Sequence, residues 1–301
     1  MGNFSTIDEP EVVVNHYSNR IILYLESLED KQVMRDRWFT QWREWIDFQS
    51  VDASQGGDGG SAQVLRRVSA DYAVKIPSFG IVDRDALLNH TIMDSANWDA
   101  FLESDQNAFA AAANLHPHVK VLRRWEMENY LLHPKALGKL LRDAEKPNQV
   151  NCSAETTAQC LLDFSPIAIL LSAANLVLLE HMKPPLSPLF DAPQSDPDLL
   201  KKAIIAQLQN KEITDLEDKI ENKTAAIRSF LQDLTETPEN QWNQLNHLID
   251  GKLFLIRFCK WFGFKDGRRL ELASKISEHH LIDTEIIEFM EMLKEKAVRL
   301  V

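Results

Sequence analysis

A chain of 301 residues can bury one substantial core and a smaller second one, since domains run roughly 100 to 200 residues. Its 33 Lys+Arg against 45 Asp+Glu leave a formal charge of −12, which excludes long-range attraction to nucleic acid or anionic membrane and confines contact with polyanions to local cations. The three cysteines, Cys152, Cys160 and Cys259, are too few and too scattered for a disulfide framework, and none sits in a C-x-x-C pair suited to zinc or redox chemistry.

In chain order, Met1 to Pro10 is polar and acidic and cannot serve as the apolar core of a secretory signal, while Gly2 with Thr6 meets only the loose acylation pattern. From Arg20 to about Leu132, short β-rich runs (Ile21 to Leu25, Phe48 to Val51, Ser78 to Val82, Val119 to Leu122) alternate with helical patterns. That alternation predicts an α/β fold with a mainly parallel sheet flanked by helices. Met34, Trp38, Trp42 and Trp45 recur at helical spacing and read as a core stripe before a base-stacking platform. Gln55 to Ser61, rich in glycine, reads as a flexible connection from the second strand to the next helix.

After about Pro134 the strand patterns stop. Apolar residues three or four apart predict long helices over Leu199 to Leu234, Trp242 to Phe262 and Thr284 to Leu300, with breaks at Lys183 to Pro185, Asp191 to Pro197, Thr237-Pro238 and Gly263 to Gly267. Ile167 to Leu179 is the most apolar stretch, but it carries Ser172 and Asn175 and falls short of the ~20 residues a bilayer needs, so a buried helix in a cytoplasmic protein is expected. Asp215 to Lys223 fits a solvated face or a partner-binding helix, and His279-His280 point apart on a helix. The expected organisation is a catalytic α/β domain over 1–134 and a largely helical region over 135–301, packed on it and used for dimer or partner contacts.

Three carboxylate groups carry the chemistry. Glu26 follows an apolar strand, and in a parallel sheet the carboxyl ends of strands face the ligand crevice, so it reads as a metal ligand, a general base, or only a complement to a helix start. Asp83 and Asp85 end the run Phe79 to Val82 with one residue between them; a hard cation such as Mg²⁺ relieves their repulsion, and Arg84 offers a salt bridge as the rival remedy. A D-x-D alone does not separate a nuclease from a phosphatase or a glycosyltransferase. Glu126 and Glu128 share one face if the strand before them continues and diverge if it has become helix. Arg123 and Arg124 before them suit phosphate oxygens, as do Arg66 and Arg67, and Lys252 stands in a Gly-Lys turn able to aim an ammonium or simply to start a helix.

Leu25-Glu26-Ser27-Leu28-Glu29-Asp30 resembles the first Toprim motif, an apolar strand then Glu-Gly-x-x-Asp, and Gly80-Ile81-Val82-Asp83-Arg84-Asp85 is similar to the second. Arg124 to Leu132, with Glu128-Asn129-Tyr130-Leu131-Leu132, looks like the third block of the Toprim-like nuclease effectors of PARIS anti-phage systems, relatives of the OLD-family nucleases. Ser27 stands where that motif has glycine, and Glu29 and Asp30 share the place of its acid. The resemblance implies a metal-dependent endonuclease with Glu26, Asp83, Asp85, Glu126 and Glu128 on Mg²⁺ or Mn²⁺, with Lys252 aiding catalysis and Arg123 and Arg124 on substrate phosphate. It further implies a toxic effector of abortive infection that an ABC/SMC-type ATPase partner holds inactive and releases as a homodimer, with tRNA as the substrate and no membrane involved. Two other readings are an inert Toprim-like interaction module and a D-x-D phosphatase or phosphotransferase.

Overall fold

Every residue of Ile21–Leu25 and of Ser78–Val82 is buried, so these strands are covered on both faces, as in a parallel sheet with helices on either side. The computed structural model describes residues 20–51, 60–89, 92, 96–144, 153–191, 194–231, 236–265 and 267–299. The Gly2 and Thr6 pattern, Gln55 to Gly59 and Cys152 lie outside them.

The described elements run β1 (Ile21–Leu25), α1 (Leu28–Val33), β2 (Ile46–Ser50), α2 (Gly60–Ala73), β3 (Ser78–Val82), α3 (Trp98–Phe101), α4 (Gln106–Ala112) and β4 (Val119–Val121). Nine helices follow among the described residues: α5 (Met127–Leu131), α6 (Pro134–Asp143), α7 (Ala154–Glu180), α8 (Pro197–Leu208), α9 (Leu216–Arg228), α10 (Pro238–Leu245), α11 (Gly251–Trp261), α12 (Arg269–Glu278) and α13 (Thr284–Val298). They form two compact units, one from the described residues of Met1–Val82, His116–Lys120 and Asp283–Val301, the other from Asp83–Leu115 and Val121–Ile282.

The sheet has the order β2-β1-β3-β4, and β1 pairs in parallel with both β2 and β3. The expected α/β architecture is therefore present. In the first unit α2 packs on β1 and β3, and α13 on β1 and β2. Gly80 permits the close seat of α2, because a Cβ there would lie 2.4 Å from Val64 Cγ1. Edge strand β2 buries Ile46 and Phe48 and leaves Asp47 and Gln49 partly open, the alternation of a strand with one covered side. Met34, Trp38 and Trp42 are buried, and Lys294 lies over the rings of Trp42 and Trp45, which agrees with a core stripe.

The second unit is built around α7. Ser153 caps its start by accepting from Thr156 N, and its 27 residues carry little amphipathicity because every residue from Ile167 to Leu178 is buried. Helices α6, α8, α9 and α10 pack on it, and 78% of its most apolar window is buried. It is long and apolar enough to cross a membrane, yet here it is a core helix. Two expected helices each break in two. The Leu199 to Leu234 segment turns at Glu212 and Asp215, both in the left-handed region (φ 58° and 53°), and the Trp242 to Phe262 segment turns where Asp250 caps a new helix by accepting from Leu253 N at 2.8 Å.

Candidate functional site

In the first unit Glu26 directly follows β1 and is partly buried. Ser27 starts α1: its hydroxyl accepts from Asp30 N at 3.0 Å and donates to Asp30 Oδ2 at 2.6 Å. The serine that departs from the Toprim glycine thus acts as a helix cap. Of the two acids behind it, Asp30 is buried and tied to that cap while Glu29 is exposed. Gly60 lies so close that a Cβ would sit 2.9 Å from Glu26 Cβ and 3.1 Å from its carbonyl oxygen. The last glycine of the glycine-rich patch therefore has a steric task, to let the start of α2 approach this strand end.

The remaining predicted acids, with Lys252, Arg123 and Arg124, fall in the second unit. Asp83 follows β3 and opens a 3₁₀ turn over Arg84–Leu88. Between the two aspartates, Arg84 is 1% exposed and donates to the carbonyls of Phe101 (2.8 Å), Glu103 (2.6 Å) and Arg123. Its guanidinium also lies 4.4 Å from the centre of the Phe109 ring. Arg84 thereby anchors the backbone on which Asp83 and Asp85 are carried. It also ties that turn to the segment of Arg123, and Arg84 N donates to Trp125 O at 2.9 Å.

Helix α5 has begun by Met127, so Glu126 stands before its first turn and Glu128 within it. Both nevertheless converge on one residue. Glu126 Oε2 accepts from Lys252 N at 2.8 Å, and Glu128 Oε1 lies 4.0 Å from Lys252 Nζ and 3.0 Å from Arg269 Nη1. The bridge to this distant turn is Asn129. Its Nδ2 donates to the carbonyls of Asn246 (2.9 Å) and Ile249 (2.8 Å), its Oδ1 accepts from Glu126 N, and Asn246 Nδ2 returns a bond to Asn129 O at 2.7 Å. Only glycine fits at 251, where a Cβ would lie 2.4 Å from Asn129 Oδ1. Asp250, beside it, accepts from Asn175 Nδ2 at 2.8 Å, and its N donates to Ser172 Oγ.

The electrostatics follow from this crowding. Burial and the field of Asp250 push Asp85 up to about 6, against the opposing pull of Lys252 and a hydrogen bond from Trp125. Glu126 lies well above the usual carboxylate range through burial, Asp250 and Glu128, and Asp250 is raised by burial. Burial alone would lower the Lys252 ammonium, yet Glu126, Glu128 and Asp83 overcome it and hold it above its ordinary value. Half of its side chain is open to solvent (55%), so the cation is presented outward from a ring of acids.

The all-oxygen donor set of these carboxylates suits a hard divalent cation in kind. In spacing, no three His, Cys, Asp or Glu among the described residues are gathered as a metal group, and Glu128 already faces two cations. Arg124 is held by Asn243 Oδ1 at 2.6 Å and stacks over Tyr130, leaving Arg123 and Arg124 both partly open beside the acidic block. Arg66 and Arg67 are exposed on α2 in the first unit. Asp250, Arg269 and the Asn129–Asn246 pair escape a reading of the sequence. Asp250 had a signal in the Asp-Gly start of a helix, whereas nothing local marks Arg269. No family model, curated protein or solved structure matches the chain.

Proposed function

We propose that this chain is a divalent-metal-dependent endonuclease of Toprim-like type. The supporting observation is the meeting of Glu126 and Glu128 at Lys252, whose backbone N lies 2.8 Å from Glu126 Oε2 and whose Nζ lies 4.0 Å from Glu128 Oε1, in surroundings whose burial raises the proton affinities of Asp85, Glu126 and Asp250; carboxylates so placed offer the oxygen donors a hard cation takes. Carried over from the Toprim likeness, Asp83, Asp85, Glu126 and Glu128 would hold Mg²⁺ or Mn²⁺, which would supply counter-charge for a cleaved phosphate and a water of lowered pKa. Lys252, kept protonated by its acidic neighbours, neutralises charge building on the phosphoryl oxygens. By the same likeness, Glu26 would serve as the general base. Arg123 and Arg124 provide the local phosphate contacts that a chain of charge −12 requires.

The likeness to PARIS effectors extends this reading to a toxic anti-phage nuclease acting on tRNA in the cytoplasm, restrained by an ABC/SMC-type ATPase and active as a released homodimer. Expressing wild type and Glu26→Ala with the partner ATPase and sequencing small RNA after triggering tests it. New tRNA ends are expected with wild type only, and Mg²⁺-dependent cleavage retained by Glu26→Ala refutes the role of that residue. The ion pair of Glu128 with Arg269 favours a second reading, an inert Toprim-like interaction module. Wild-type protein that cuts neither RNA nor DNA with Mg²⁺ or Mn²⁺, once freed of its ATPase, decides for the module.

A further inference from the structure

Within the second unit, α7 and α11 enclose a cavity of about 360 Å³, a volume within the roughly 300–1,000 Å³ typical of small-molecule sites. Phe164 from α7 and Phe254, Phe258 and Trp261 from α11 give it an aromatic lining, and Arg257 and Lys260 bring two cations to the same space. No Asp or Glu is among the described residues that line it. Trp261 is 56% exposed, an indole left in water at the rim.

Arg257 is the unusual member. Its Nη1 donates to Phe190 O at 2.6 Å and its Nη2 reaches Asp191 O at 3.4 Å, so its hydrogen-bond partners are neutral carbonyls. Burial lowers its pKa and the field of Asp191 acts in the opposite sense. Among the described residues neither Arg257 nor Lys260 makes an ion pair. A partly desolvated guanidinium whose direct bonds go only to carbonyls, with Asp191 acting through its field alone, would gain charge-assisted hydrogen bonds from an anionic ligand head.

We propose that this cavity binds a small amphipathic anion, its apolar body seated among Phe164, Phe254 and Phe258 and its carboxylate or phosphate head on Arg257 and Lys260. Aromatic walls accept either an aliphatic chain or a flat ring. The charge at the mouth selects against neutral and cationic amphiphiles of the same length.

Titration calorimetry on the full chain with decanoate, decanol and decyltrimethylammonium tests the site. Decanoate is expected to bind in roughly the 10–100 μM range, with decanol and the cation at least about tenfold weaker. Arg257→Gln and the surface variant Lys260→Gln should each weaken decanoate severalfold, and Ala168→Phe, which fills the cavity, should abolish binding. Far-ultraviolet circular dichroism identifies any variant that has lost its helices, and the exposed Lys260 keeps the test decisive if a core variant fails to fold. The proposal is overturned if decanoate shows no heat up to about 1 mM, if the double variant Arg257→Gln/Lys260→Gln binds it as wild type does, or if decyltrimethylammonium binds equally well. Association with phosphatidylglycerol vesicles in the absence of decanoate binding also overturns it, since that result assigns the cations to a lipid surface.

Discussion

At neutral pH most Asp85 carboxyls are ionised although their environment holds the proton up to about 6, so the folded chain carries charge it would be more stable without. Asp85→Asn should therefore raise stability at pH 7.5 in chelator by about 1–2 kcal/mol, read as a higher urea midpoint, while removing the proposed nuclease activity. An unchanged or lower midpoint would show that the Trp125 hydrogen bond and Lys252 already compensate the acid. His247 works in the opposite sense: burial, then Arg124, Arg123 and Arg84, depress it to about 3 from an ordinary 6.5. Its folded pKa is the lower one, so its contribution is fully present above about 6.5 and is lost as pH falls toward 3. Comparing wild type with His247→Gln by urea unfolding at pH 7.5 and pH 5 should show wild type losing about 1–2 kcal/mol more on acidification. Parallel pH responses would mean the imidazole titrates normally.

At the scale of elements, the site is held by a cross-brace between the start of α5 and the turn before α11. Asn129 satisfies the carbonyls of Asn246 and Ile249, and truncating it leaves both without that donor. Asn129→Ala should cost about 2–3 kcal/mol, seen as a shifted urea midpoint with an unchanged slope. A loss below about 0.5 kcal/mol would show that other contacts hold the turn. The strands were legible in the sequence because short apolar runs ended in turn residues, and three of the four were placed within a residue of their observed ends. The helix break at Glu212 to Asp215 was not legible, and that at Asn246 to Asp250 left only the Asp250-Gly251 start as a local signal. Apolar spacing continues through both, and the left-handed residues and the amide brace that end the helices are not periodic features.

At the scale of the whole molecule, acids placed at strand ends could be read directly: Glu26 after β1, Asp83 after β3, and Glu126 and Glu128 near β4. Their counter-charges were harder to foresee. Arg269 reaches Glu128 from a helix with no motif of its own, and Asp250 is held beside the acidic group by Asn175, Ser172 and the turn that Asn129 braces. Pattern along a chain reports local geometry, whereas pairing between remote segments depends on tertiary packing. The net charge of −12 likewise gives no hint that Lys252 gathers several acids around one ammonium.

The bond between Glu126 and the backbone of Lys252 joins residues 126 positions apart. A ribosome adding ~5–20 residues per second needs roughly 6–25 s to travel that distance. Throughout that interval the glutamate pair is already part of the chain while its basic partner is still to be polymerised. The order of synthesis thus delays assembly of the acidic centre until α11 is made, and any polypeptide released earlier lacks the lysine on which Glu126 and Glu128 close.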